Sequence, residues 1–155
     1  MNRNSEFTIF EENRKYRSCF SMNRQKYISW LYVRLVRKIC PKCKREREFN
    51  KEEKEIITKI MEKYGEKVDL EGQKTYDAVG CDYCNNTGFY SRIGIFETLD
   101  VTDEIRELIV RGASSMEIRQ KALETGYRPL VVDGIKKVIE GVTTLEELNK
   151  KILMY

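Results

Sequence analysis

Four cysteines in two pairs, Cys40-Pro41-Lys42-Cys43 and Cys81-Asp82-Tyr83-Cys84, constrain this chain more than any other feature. Each pair has the two-residue spacer of a metal knuckle, a turn that points both sulfurs to one side, about 2.3 Å from a shared Zn²⁺. Residues 44 to 80 separate the pairs, and the chain has no histidine. A tetrahedral site assembled here is therefore all thiolate. Four thiolates close the coordination sphere and leave no position for a water. The pattern predicts that Cys40, Cys43, Cys81 and Cys84 bind a structural Zn²⁺ and that the site is not catalytic. Such a site ties together two distant segments and contributes on the order of 10 kcal/mol of folding free energy. A zinc tetrathiolate carries about −2 of charge, which Lys42, Lys44 and Arg45 beside it would offset.

Other uses of cysteine fit less well. A thioredoxin-like redox pair sits where a strand leads into a long helix, and neither pair is flanked that way. A disulfide framework calls for an even count and an export signal. This chain has five cysteines and no recognisable signal peptide. The fifth, Cys19, reads as an incidental thiol, and a reducing cytoplasm is the expected compartment.

With 155 residues the chain is long enough for one ordinary domain or two small ones. Charged residues make up 35% and mean hydropathy is −0.59, a soluble composition without an apolar run near 20 residues, so no transmembrane helix is expected. The net charge of +4 is uneven: residues 1–48 hold 13 Lys/Arg against 5 Asp/Glu, the rest 16 against 20. A basic front half suits nucleic acid or an acidic partner surface. Glu46 and Glu48 interrupt the basic run, however, and the knuckles carry no basic–aromatic stripe. A solvated surface is the preferred reading. A stand-alone nucleic-acid-binding zinc ribbon is the alternative, distinguished by a strongly salt-dependent affinity.

Residues 1–27 show no clear apolar period. Ile28, Leu31, Tyr32, Leu35, Val36 and Ile39 recur at helical spacing and predict a helix over 28–39, ended by Pro41. Asn50 with Glu53 forms a capping-box signature for a second helix, with Ile56, Ile57, Ile60, Met61 and Tyr64 as its apolar stripe and Gly65 as its stop. After Cys84, the run Asn85-Asn86-Thr87-Gly88 is a turn signal. Phe89 to Leu99 is rich in β-formers, and Tyr76 to Val79 is its expected antiparallel partner. Four short helices then follow. Thr102 and Gly112 bracket the first, and Ser114, with Glu117, and Gly126 the second. Pro129 and Gly141 bracket the third, and Thr144 with Glu147 caps the last. The expected fold is α+β: a small tetracysteine subdomain with a short antiparallel sheet and an inserted helix, then a bundle of about four helices. The expected division is 1–33 unassigned, 34–100 zinc-binding and 101–155 helical.

Several of these residues are not generic. Arg34-Leu35-Val36-Arg37-Lys38-Ile39-Cys40-Pro41-Lys42-Cys43 resembles the segment entering the zinc site of type II secretion and type IV pilus assembly ATPases. Gly80 to Phe89 resembles their second knuckle, and Arg92-Ile93-Gly94-Ile95-Phe96-Glu97 the strand after it. Asp133 to Val138 and Gly141 to Glu147 resemble their terminal helices. The resemblance covers about residues 34–155. It implies cytoplasmic hexameric ATPases at the inner face of the inner membrane, which act through a membrane platform protein. It also implies zinc at the four cysteines. The cysteine/glycine repeats of chaperone-type zinc modules are fainter relatives, richer in glycine.

The family's ATP chemistry is not expected here. It needs Gly-x-x-x-x-Gly-Lys-[Ser/Thr], whose amides and lysine hold phosphates, and no such run is in the sequence. There is no candidate Walker B carboxylate, and the family's histidine-containing motif cannot exist without histidine. No bound nucleotide and no hydrolysis by this chain alone are expected. Val33 stands where the family usually has Gln, and residues 1–33 read as unrelated sequence, as in a truncated or frameshifted gene. Arg34 and Arg37 suit surface ion pairs or a neighbouring subunit. Arg92 and Glu97 suit a polar link, although an odd spacing sets them on opposite faces of a strand. Trp30 reads as core or noise, and Tyr83 as a shield for the metal.

Overall fold

The structure is a computed structural model that describes residues 19–22 and 28–153, with side chains from Leu31 to Ile152 and at Ser29. Two antiparallel sheets organise it. The first has strands in the order β1 (Cys19–Met22), β2 (Ile28–Ile39) and β5 (Phe89–Val101), and the second pairs β3 (Lys44–Glu48) with β4 (Lys74–Ala78). Helix α1 (Lys51–Lys63) lies between β3 and β4 in sequence. After β5 come α2 (Asp103–Val110), α3 (Ser115–Glu124), α4 (Leu130–Ile139) and α5 (Leu145–Leu148), the last running into a π-helical turn over Asn149–Leu153. The α+β class and the four short terminal helices match expectation. Among the described residues, no helix is long and apolar enough to cross a membrane.

Two local expectations are corrected. The segment 28–39 is strand β2, not a helix, and it pairs with β5 from Ile28↔Val101 to Ile39↔Phe89. It carries apolar residues on both faces: Val36 is buried, while Leu31, Val33 and Leu35 are exposed on the opposite side with Phe96, and Ile39, beyond a register shift, is buried at the strand's end. A segment so evenly apolar satisfies helical spacing by default, and its β-branched and aromatic content then favours the sheet. Tyr76 to Val79 is not the partner of Phe89–Leu99. The strand there is Lys74–Ala78, and it pairs with Lys44–Glu48 in the register Lys44↔Ala78 to Glu48↔Lys74. That hairpin has almost no apolar signal. Opposite charges across the ladder support it: Arg45 to Asp77 at 3.3 Å, Arg47 to Asp77 at 2.7 Å, and Lys74 to Glu46. Trp30 lies within β2, but its side chain falls outside the described residues, as do residues 1–18 of the unassigned front segment.

Helix starts follow the local chemistry. The side chain of Asn50 accepts the Glu53 N–H at 2.8 Å and the Glu53 carboxylate accepts the Asn50 N–H at 3.0 Å, closing the capping box. Ser114 and Glu117 close a second one. Pro129, the N-cap of α4, has no side-chain acceptor to offer, and the buried Glu97 of β5 accepts the Leu130 N–H at 2.8 Å in its place. Arg92 points to the exposed face and Glu97 to the buried one, as the odd spacing requires.

The larger core packs Val36 of β2 and Ile95 of β5 against Ile57 and Met61 of α1, Leu130, Val132, Ile135 and Val138 of α4, and Leu145 and Leu148 of α5. Gly134 lets α4 and α5 approach closely, since a Cβ there would fall 2.3 Å from Leu148 Cδ1. A smaller cluster joins Leu99 and Val101 of β5 to Ile105 of α2, Ala122 of α3 and Tyr127. Tyr32 and Leu123 pack against both clusters. Ile95 is fully buried at the centre of the larger one. Ile95→Ala should lower unfolding free energy by about 3 kcal/mol through lost burial and a residual cavity, while Val110→Ser, at a position 82% exposed, should change it by less than about 0.5 kcal/mol. Urea titrations of the two variants against the parent chain check this.

Candidate metal centre

The β2–β5 ladder brings the two knuckles together. β2 ends one residue before Cys40, and Pro41, lacking an N–H, takes the chain out of the ladder. The turn closes with the Lys44 N–H on the Cys40 carbonyl at 3.1 Å and leads into β3. The second knuckle leaves β4 through Gly80, makes a short 3₁₀ turn over Asp82–Cys84, and reverses through Asn85 and Asn86 in the left-handed region before β5 begins. The Cys40 N–H donates to the Gly88 carbonyl at 2.9 Å, so the entry to one knuckle is bonded to the exit of the other.

All four predicted ligands meet. Their Sγ atoms lie within 4.8 Å of one another. Cys40–Cys81 is 3.9 Å, Cys43–Cys84 3.8 Å and Cys81–Cys84 3.8 Å. A tetrahedron with Zn–S bonds of about 2.3 Å has edges of about 3.8 Å, and these three of the six sulfur pairs stand at that separation. Cys40 and Cys84 are buried, and Cys43 and Cys81 half-buried.

Backbone donors serve the sulfurs. Gly80 N–H donates to Cys43 Sγ at 3.3 Å, and Cys81 and Gly88 N–H donate to Cys84 Sγ at 3.2 and 3.3 Å. Burial opposes ionisation of Cys84, yet the two amides outweigh it and bring its pKa down to about 6. Cys43 goes the other way: burial, with the neighbouring thiols, pushes it up to about 12. Four sulfurs this close cannot all carry charge without a cation among them. A divalent ion would supply that charge, and the donor set of four thiolates without histidine suits zinc.

The surroundings are cationic and aromatic. Lys42 sits over the Tyr83 ring at 4.1 Å and Lys44 over Tyr76 at 4.3 Å, while Arg45 turns to Asp77. Tyr83 stacks on Tyr90 with centroids 4.6 Å apart and stays 43% exposed.

Sequence reasoning missed how the end of β2 is held. Arg37 Nη2 donates to Glu147 Oε2 at 2.6 Å and the Arg37 N–H to Glu147 Oε1 at 3.2 Å. Thr143 Oγ1 donates to the Arg37 carbonyl at 2.8 Å, and the Ile39 N–H donates to the Val142 carbonyl at 2.9 Å. The Arg37 guanidinium also lies 4.1 Å from the centroid of the Phe89 ring. Arg37 thus makes the ion pair envisaged for it, and Arg34 donates to the Lys151 carbonyl at 2.6 Å. The sequence marks Glu147 only as the partner of cap residue Thr144. Its N–H does donate to Thr144 Oγ1 at 3.1 Å, but its carboxylate turns inward to Arg37. No local signal distinguishes the two uses, because Arg37 is 110 residues away.

Gly88 carries two demands at once. Its φ is +74°, and a Cβ there would fall 2.6 Å from the backbone of Ala78. Gly65, at φ +72°, has open space around it. Gly88→Ala should therefore displace β4 from the second knuckle and lower zinc occupancy, whereas Gly65→Ala should cost about 1 kcal/mol of left-handed strain and leave metal content unchanged. Metal analysis and thermal melts of the two variants check the contrast.

Residues 25–150 match the family described as type II/IV secretion system protein. The type IV pilus assembly ATPase PilB of Myxococcus xanthus is 38% identical over 119 residues, covering 76% of this chain and 20% of that protein. PilB of Thermus thermophilus is 39% identical over 121 residues, covering 78% and 13%. The type II secretion system ATPase E of Vibrio cholerae is 38% identical over 122 residues, covering 77% and 22%. The chain thus spans between 13% and 22% of the length of these relatives. A family match over most of its residues, with the tetracysteine cluster inside the matched range, makes this chain a member of the type II/IV secretion system protein family.

Proposed function

We propose that this chain is the zinc-binding C-terminal portion of a type II secretion or type IV pilus assembly ATPase, and that its own role is structural. Zn²⁺ held by Cys40, Cys43, Cys81 and Cys84 fixes the β3–α1–β4 insert to the β2–β5 ladder and closes the site to water, so the metal has no open position for chemistry. The observation that carries this reading is the meeting of four Sγ atoms, from segments 41 residues apart, at zinc-compatible separations. The metal supplies charge neutralisation and a cross-link. The chain's own N–H groups at Gly80, Cys81 and Gly88 orient and stabilise the sulfurs.

The sequence contains no Gly-x-x-x-x-Gly-Lys-[Ser/Thr] run, so nucleotide binding and hydrolysis are not expected of this chain by itself. By family membership, its partners would be the subunits of a hexameric ATPase and a membrane platform protein, and its site of action the cytoplasmic side of the membrane.

Metal content tests the proposal. The purified chain should hold one zinc per molecule, and Cys81→Ser should lose it and melt at markedly lower temperature, since broken tetrathiolate sites forfeit several kcal/mol. Cys19→Ser should do neither. Equal zinc and equal thermal stability in both variants would sink the assignment.

A further inference from the structure

We propose that Glu147 is a positioning residue of the metal centre, acting through Arg37, and that metal binding and docking of α5 are thereby coupled. The inference rests on the zinc reading above. It starts from where the β2–β5 ladder fails. The register shifts between Arg37 and Ile39, where Tyr90 and Ser91 together oppose Lys38, and Ser91 adopts φ +69°. This is a β-bulge, and a bulge disrupts the ladder locally. The ladder resumes at Ile39↔Phe89, but the residues around the bulge take further support from elsewhere.

That support is the loop entering α5 and the first turn of α5. The Arg37 N–H and guanidinium both end on the Glu147 carboxylate, the Arg37 carbonyl is taken by Thr143, and the Ile39 N–H is taken by Val142. Four hydrogen bonds thus hold Arg37 and Ile39, just before Cys40. The Glu147 side chain is 1% exposed, so its charge is tolerable only while Arg37 stays in place. Arg37 in turn lies over Phe89, whose neighbour Gly88 donates to Cys84 Sγ and accepts from the Cys40 N–H. One guanidinium therefore touches the approach to both knuckles and the start of α5.

Coupling of this kind is reciprocal: whatever α5 contributes to holding the metal, the metal contributes to holding α5. Groups that orient metal ligands from behind typically change metal affinity by about 10-fold or more when removed. Glu147→Gln keeps the shape and removes the charge. Thr143→Val removes a single hydrogen bond and gives a milder second variant. Glu146→Gln, at an exposed side chain paired with Lys150, is the control.

The test uses the zinc-loaded full chain. Zinc affinity is measured by competition with a chromophoric chelator, and amide exchange is followed by mass spectrometry with and without chelator. Glu147→Gln should lower zinc affinity about 10-fold, Thr143→Val less, and Glu146→Gln not at all. In the unmutated chain, zinc removal should speed exchange over residues 142–153 more than over α2 and α3. Two outcomes overturn the proposal while leaving the metal site intact. One is unchanged zinc affinity in folded Glu147→Gln and Thr143→Val. The other is zinc removal that leaves 142–153 as protected as before, or that accelerates all segments equally. An unmutated chain that binds no zinc overturns the metal reading itself, and this one with it.

Discussion

The antiparallel pairing of β2 with β5 is the constraint on which the rest of the molecule depends. β2 ends at the first knuckle and β5 begins after the second, so the pair Ile39↔Phe89 and the bond from Cys40 to Gly88 deliver four sulfurs to one point. Everything between, including the charged β3–β4 hairpin and α1, is an excursion from that ladder. Closing an excursion of this length costs about 4 kcal/mol of chain entropy, less than the order of 10 kcal/mol a tetrathiolate zinc site contributes. Strand pairing sets the geometry, and a metal bound there would stabilise it.

Two buried carboxylates hold the terminal helices to the ladder. Glu97, projecting from β5, accepts the first free N–H of α4, where Pro129 has no cap to offer. Glu147, projecting from α5, is matched to Arg37. Both are almost fully buried, and both meet a group that repays desolvation: a helix N-terminus in one case, a guanidinium in the other. Burial raises the pKa of Glu147, but Arg37 outweighs it and holds the carboxyl below its ordinary value. The interaction is therefore fully present above the ordinary glutamate range and fades as pH falls through the depressed native value. These contacts attach the terminal helices to the ladder, and through it to the metal centre.

What the sequence revealed follows from range. The four cysteines were legible because each pair is a local motif and a tetrahedral metal needs two. The caps of α1 and α3 were legible because Asn50 with Glu53, and Ser114 with Glu117, interact within one turn. The segment 28–39 misled because apolar residues on both faces of β2 satisfy either period. The β3–β4 pair was hidden because its support is opposite charge across strands, and Lys44–Glu48 has no apolar alternation. Glu147 was hidden for another reason: one carboxylate suits a cap and an ion pair equally, and only the fold, which sets Arg37 beside it, decides.

On the proposed reading Cys40, Cys43, Cys81 and Cys84, and no other residue, hold the zinc. X-ray absorption at the zinc edge of the purified chain tests it most directly. The account predicts a single shell of four sulfur scatterers at about 2.3 Å. A shell containing nitrogen or oxygen, or fewer than four sulfurs, would contradict it.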